Sequence, residues 1–410
     1  MLKLKISSFG MLRIKKQEHL SEKFILLGLI LTSLNLAQSF YYILFLTFGL
    51  LIFKRKVISL DITFLWSLFF TATLLIFWKE ATVSLLPMIR VFAYPVAYLF
   101  GYNYLVNRKA NEEVENQLVR LIVAVSLGTF LHLMLNFLIN MDQQIGRNTI
   151  DIWTGKMLAA SGQTALACMM IGCSLGVLLS GTSEVKHKIL ASVAVLLMLL
   201  YNMILAGRTM IALTAIIFAV LLLNYLHHFQ ASGKTIRLIL TVFAAVLLIL
   251  VCYHQNLLGI RDVVLNSNLY ERFFGASNMG ILEDTRSSIR SKYIEYMPQY
   301  FLGGSHIRQA TGAHAHELYL NVYDEAGIFA YFAVIGLVVS AAIHLLRFLR
   351  QANISFVTKQ IMLGVFLAIN IMFFLEPVLL GMPWLIVWLC LLHGSVSRYN
   401  HILKGQEHQL

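Results

Sequence analysis

Long apolar runs separated by short polar turns dominate this chain, and their lengths predict its elements. A helix needs about 20 apolar residues to cross the hydrocarbon of a bilayer. Measured against that length, the pattern predicts spans at 24–38, 40–53, 60–77, 85–105, 118–139, 159–180, 188–206, 208–226, 237–254, 326–346, 360–375 and 383–397. The expectation is about twelve crossings. One helix through the apolar stretch 24–53 would extend about 45 Å, longer than the hydrocarbon is thick. Two short helices that break near Gln38 and Ser39 are therefore expected. Residues 255–325 form one external loop far longer than the other connections. Its aromatic residues and amphipathic spacing predict that it folds, because loops of this length are usually functional or disordered. The chain divides into membrane helices 1–9 over residues 1–254, the loop over 255–325, and helices 10–12 with a tail over 326–410.

Composition adds the class. Of 410 residues, 59% are apolar and 13% charged, which leaves too little polar surface to cover a soluble globule. The fold class is all-α, a polytopic integral membrane protein. The basic N-terminal region (Lys3, Lys5, Arg13, Lys15, Lys16, Lys23) leads into an apolar run too long for a signal core, so no cleaved leader is expected. Cys168, Cys173, Cys252 and Cys390 all lie in or beside apolar segments, where they act as small hydrophobes rather than a disulfide framework. With both termini placed on the cytoplasmic side, the inside segments hold 21 of the 32 lysines and arginines. That bias orients helices during insertion. It also accounts for the net charge of +12 without a nucleic-acid partner.

Polar groups then mark where chemistry could lie. Arg90 sits about one and a half turns into the fourth span, in SLLPMIRVFAYP; a functional cation competes with one that merely snorkels to headgroups. Arg208, in YNMILAGRTMIAL, follows Gly207 in a tight turn and opens a helix whose free N–H groups attract anions. His132 and Asn136, one turn apart, read as a hydrogen-bonding pair between helices. In the loop, a helix through SSIRSKYIEYM puts Arg286, Arg290 and Tyr293 on one face, with pairing to Glu283 as the plain alternative. Arginine suits a diphosphate because its planar fork donates two hydrogen bonds and stays charged. Gly303 and Gly304 permit close approach or an unusual backbone angle. Beyond them, on a helix, His316, Tyr319, Leu320, Tyr323 and Gly327 share a face, while Glu325 points away and is assigned to fixing another segment. His314 and His316 lack the further ligands of a metal site, so no metal is assigned. A neutral imidazole is suited to accept a proton from an alcohol, and nearby arginines favour its neutral form.

Several features together resemble the bacterial O-antigen polymerase and O-antigen ligase superfamily. They are the twelve spans, the long loop before the tenth, AGRTMIAL, TRSSIRSKYIEYMPQYFLGG with an arginine 17 residues before a glycine pair, and H-E-L-Y-L-x-x-x-x-E-x-G at the loop exit. The resemblance covers about residues 150–335; SGQTALA at 161–167 stands where the family often has a small polar turn, and Glu317 departs from its usual Asn or Ser. It implies a GT-C-type glycosyltransferase without cofactors, working at the outer face of a bacterial cytoplasmic membrane on a polyprenyl-diphosphate-linked oligosaccharide. A chain-length regulator and a flippase of the same pathway would be its partners. Arg208 and Arg286 would bind the diphosphate, assisted by Arg290 and Arg90, and His316 would activate the acceptor hydroxyl. Three alternatives stay open: ligase-type transfer of a finished polymer to lipid A core or protein, a secondary transporter of an anionic solute, and a non-catalytic scaffold.

Overall fold

The fold is described from a computed structural model covering residues 22–56, 58–105, 112–140, 148–181, 184–229, 251–267, 270 and 285–407. Helix α1 (22–33) is separated from α2 (Phe40–Arg55) by a turn in which Asn35, Ala37 and Gln38 adopt left-handed backbone angles. The long apolar run thus breaks beside Gln38 and Ser39. There follow α3 (Phe64–Phe77), the short α4 (Lys79–Val83), α5 (Leu85–Tyr104) and α6 (Glu112–Ile139). A small antiparallel hairpin, β1 (Asn148–Ile150) with β2 (Met157–Ala159), comes next and departs from the purely helical expectation. The chain continues through α7 (Ala160–Leu178), α8 (Val185–Leu205), α9 (Arg208–Phe229), α10 (Ile260–Leu265), α11 (Thr285–Tyr296) and α12 (His306–Thr311). It ends with α13 (Leu318–Arg350), α14 (Phe356–Leu375), the short α15 (Val378–Gly381) and α16 (Trp384–Glu407).

Seven of the described helices, α5 to α9, α13 and α14, are long and apolar enough to cross a membrane. They identify an all-α membrane protein. α3 is apolar but shorter, with 14 residues, and most of the span expected at 237–254 lies outside the described residues. Burial orders the bundle from centre to rim: the apolar window of α7 is 78% buried, against 33% for α8 and 28% for α9. The exposed Leu190, Leu196 and Leu223 on those outer helices suit contact with lipid tails. Without a hydrophobic driving force between helices in lipid, small residues allow the close packing that holds them together. A Cβ on Gly172 of α7 would lie 2.4 Å from the Gly364 carbonyl oxygen of α14, and one on Gly101 of α5 would lie 2.1 Å from the Leu391 carbonyl oxygen of α16.

The largest departure from expectation is at the loop exit. α13 starts at Leu318, inside the stretch 255–325 assigned to the loop, and is interrupted at Gly327 (φ 78, ψ −171). His316 and Glu317 therefore precede the helix, with Glu317 extended, and Gly327 is not helical. A face shared from His316 to Gly327 does not form, because the helix begins after the one and breaks at the other. At Gly207 the reason for the glycine also differs. Ala206 takes the left-handed angle (φ 52), while a Cβ on Gly207 would lie 2.3 Å from the Asn202 side-chain oxygen. Close approach rather than turning is what this glycine provides.

A helix break exposes backbone groups that lipid cannot satisfy, so protein must pair them. Here the turn around Gly303 and Gly304 supplies the partners. Ile328 N–H donates to the Phe301 carbonyl (2.8 Å), Gly304 N–H to that of Glu325 (3.3 Å) and Ser305 N–H to that of Asp324 (2.7 Å). The fit leaves no room for side chains: a Cβ on Gly303 would lie 2.5 Å from the Gly327 nitrogen, and both residues have positive φ. Tyr293, Ile307, Ala315, Leu320 and Tyr323 form a small core of their own beneath this turn. Since the angles at Gly327 are open essentially to glycine alone, Gly327→Ala should cost about 1–3 kcal/mol. Thermal unfolding of the detergent-purified protein should show a lowered midpoint; an unchanged midpoint would refute the assigned strain.

Candidate functional site

The site is assembled where α11, the start of α13 and the end of α14 meet. α11 forms over the expected residues and presents Arg286 and Arg290, one turn apart, to a cavity of about 230 Å³ also lined by His316, Glu317, Leu320 and Phe374. His316 is delivered on the extended link before α13, with its Nδ1 buried and lacking a hydrogen-bond partner among the described residues. Burial first, then the Arg286 and His314 charges, lower its pKa from the ordinary 6.5. The imidazole is thus a free base at neutral pH, able to accept a proton.

Each loop arginine is met by a carboxylate. Arg290 pairs with Glu317 at 2.5 Å. Glu283, the partner considered from sequence, lies outside the described residues. Arg286 lies 3.6 Å from Glu376 and donates to the Leu375 carbonyl at 3.2 Å. Glu376 is only 2% exposed. Burial is the largest influence on its pKa and raises it, outweighing the lowering effects of Arg286, Thr209 and Ser161. The Thr209 hydroxyl donates to it at 3.2 Å. This one carboxylate therefore joins α9 and α11 to the end of α14. Sequence reading passed over Glu376, although an acid closing an otherwise apolar run at LEPVLLG was a visible signal.

The other residues singled out from sequence have varied placements. Arg208 is the first residue of α9, beside Thr209, yet its side chain is not among those lining the His316 cavity. Tyr319 packs its ring against Phe374, with centroids 5.1 Å apart, and so buttresses the cavity wall. His314 is exposed. Gly303 and Gly304 serve the helix break. Glu325, 2% exposed, accepts from Ser305 Oγ (2.7 Å) and pairs with Arg308 (3.0 Å), so it fastens the loop turn to α13 and does not face His316.

Arg90 is elsewhere. It lines a second cavity of about 340 Å³ with Tyr41, His132, Asp151 and Lys156, not the one at His316. His132 and Asn136 bond not to another helix, as expected, but to the hairpin. His132 Nε2 lies 2.8 Å from Asp151 Oδ2, and Asn136 Oδ1 accepts from the Ile152 N–H (2.9 Å). Burial acts most strongly on Asp151 and raises its pKa. The hydrogen bond and charge of His132, with the Thr154 N–H, outweigh burial and take it down to about 2. Among the described residues, no group of three or more His, Cys, Asp or Glu is placed to hold a metal ion.

Comparison with known proteins adds no relative: no protein-family model matches the chain, and no curated protein matches it.

The lowered pKa of His316 gives a signed prediction. A histidine that is neutral above a depressed pKa stays reactive to diethyl pyrocarbonate below pH 6.5, where an ordinary histidine is losing reactivity to protonation. Removing one of the two neighbouring charges with Arg286→Gln should move the reactivity midpoint upward, partway to 6.5. Site-resolved mass spectrometry reads this, and a midpoint that is unmoved or lower would contradict the electrostatics described.

Proposed function

We propose that this protein is a polysaccharide polymerase. It would join polyprenyl-diphosphate-linked oligosaccharide units for O-antigen, capsule or exopolysaccharide at the outer face of a bacterial cytoplasmic membrane, with about twelve spans in a GT-C-type arrangement and both termini cytoplasmic. The observation that carries the reading is one cavity holding two arginines and a histidine whose buried ring nitrogen has no partner among the described residues. Its position, where the described membrane helices meet the loop, supports it further.

The chemistry follows from those groups. His316 takes the proton from the acceptor hydroxyl as that oxygen bonds to the anomeric carbon of the donor sugar. The bond between that carbon and the diphosphate oxygen breaks, and its electron pair leaves with the diphosphate. Arg286 and Arg290, which line the cavity, stabilise the charge that develops there; Arg208, outside that lining, would have to reach the diphosphate from the start of α9. Fixed cations aimed at developing charge in a water-poor site act strongly because little reorganisation is needed during the reaction. Diphosphate is already a good leaving group, so the greater demand falls on the base.

Ligase-type transfer of a finished polymer to lipid A core or protein would use the same groups, and supplying lipid-linked units with and without such an acceptor separates the two. Elongation with units alone supports polymerisation; product only with the added acceptor overturns it in favour of the ligase. For the site itself, His316→Ala and Arg286→Ala should each lower transfer on the order of 10²–10³-fold. Long-chain glycan should disappear from gels at normal membrane abundance of the protein. Undiminished polymer in both variants would sink the assignment and favour a transporter or a scaffold.

A further inference from the structure

The cavity at Arg90 is left unused by the reaction just described, and its chemistry is distinctive. We propose that it is a second lipid-phosphate site, separate from the one at His316. The proposal goes beyond the polymerase reading and stands whether or not that reading holds. Four observations carry it.

First, Arg90 lies inside a candidate membrane span, α5, where a cation is costly unless something answers its charge. Its guanidinium lies over the Tyr41 ring, 6.0 Å from the centroid. Its buried Nε has no acceptor among the described residues. Among the described residues that Nε donor is left over, and no carboxylate pairs with the group. Second, the hairpin adds a cation to the same cavity in Lys156, which is exposed. Third, the acid of the cavity is engaged elsewhere: Asp151 is bound to His132 (2.8 Å) and accepts the N–H groups of Trp153 (3.1 Å) and Thr154 (2.8 Å). Its charge is spent on holding the hairpin, so the cations outweigh it at the cavity. Fourth, much of the remaining wall is apolar, including Leu86, Leu158, Leu380 and Trp384.

An anion with hydrocarbon attached fits this combination better than a free anion would. A phosphate satisfies Arg90 and Lys156 through charge-assisted hydrogen bonds, and the chain behind it covers the apolar wall. Size agrees as well, since about 340 Å³ lies within the usual range of small-molecule sites. Hairpin geometry explains how the second cation is held in place. The Asn140 side chain donates to the Ile150 carbonyl (2.7 Å), the Trp153 indole N–H to the Leu34 carbonyl (2.8 Å), and the Gln38 side chain to the Trp153 carbonyl (2.7 Å). The hairpin is thereby tied to α6 and to the α1–α2 turn, with Lys156 on its return side.

Two sources share this chemistry: an anionic phospholipid of the bilayer, and a prenyl phosphate or diphosphate such as would carry a second substrate chain. Native mass spectrometry of the full-length protein, released from zwitterionic nanodiscs doped with either phosphatidylglycerol or a prenyl diphosphate, distinguishes them. Arg90→Gln and Lys156→Gln should each lower occupancy at least about threefold, and the pair at least about tenfold, the scale of losing hydrogen bonds to a charged group. Lys156→Gln is the control against misfolding because its side chain is exposed. Arg286→Gln should leave this bound lipid in place. Retention of prenyl diphosphate alone supports a second substrate chain, and equal retention of phosphatidylglycerol supports a bilayer lipid. Occupancy unchanged in the Arg90→Gln, Lys156→Gln pair, or lost equally in Arg286→Gln, overturns the proposal.

Discussion

A broken helix must have its free backbone groups answered, and the rest of the site depends on how this is done at Gly327. α13 could have continued without interruption from Leu318 to Arg350 had Gly327 been an ordinary helical residue. Instead the break displays carbonyls at Asp324 and Glu325 and the N–H of Ile328, and the turn at residues 301–305 pairs with all three. Docking that turn sets where α12 begins: the Ile307 N–H donates to Asp324 Oδ1 at 2.9 Å. It also constrains α11 on the preceding side, because the Tyr293 hydroxyl donates to the Ala313 carbonyl at 2.8 Å. Arg286 and Arg290 take their positions from α11, and His316 from the link that must reach Leu318. A backbone requirement within a membrane helix thus becomes the placement of side chains in the cavity.

Electrostatics in the two cavities are arranged differently. At His316 the arginines already have carboxylate partners, which any anion entering the cavity would have to share or displace. Glu317 is set at the cavity, whereas Glu376 is fixed from behind by Thr209 and the Arg286 contact. At Arg90 the acid is turned towards the hairpin and the cations face a largely apolar wall. The first arrangement suits a ligand that arrives and leaves; the second suits one that brings its own hydrocarbon.

Much of the scaffold was legible because it is written in local composition. Apolar runs of helical length predicted α5 to α9 and α14 closely, and the i, i+4 spacing of Arg286 and Arg290 predicted α11. What escaped was decided by contacts remote in sequence. AGIFA reads as uninterrupted helix, and nothing local at Gly327 announces that a glycine 24 residues earlier will press against it. His132 and Asn136 read as bonding between helices, but a hairpin 12 or more residues away supplies partners for both. Arg90 had been grouped with the loop arginines because all face the same end of the bundle; sequence gives depth along a span, whereas its direction around the helix decides which cavity it lines. Glu376 was missed because a single acid at the end of a span resembles ordinary helix-end polarity until its partners on other helices are seen.

The small core beneath the loop gives the opening of α13 two neighbours. Leu320 and Tyr323 pack into that core, while Leu318, Val322 and Ala326, on the same turns, belong to the main core of the bundle. One short stretch of helix is therefore a party wall between two folding units. Each unit can accept substitutions in its own interior without repacking the other, provided that wall keeps its thickness. The loop and the apolar bundle are thus free to diversify at different rates while His316, on the link leading into the wall, stays fixed relative to both.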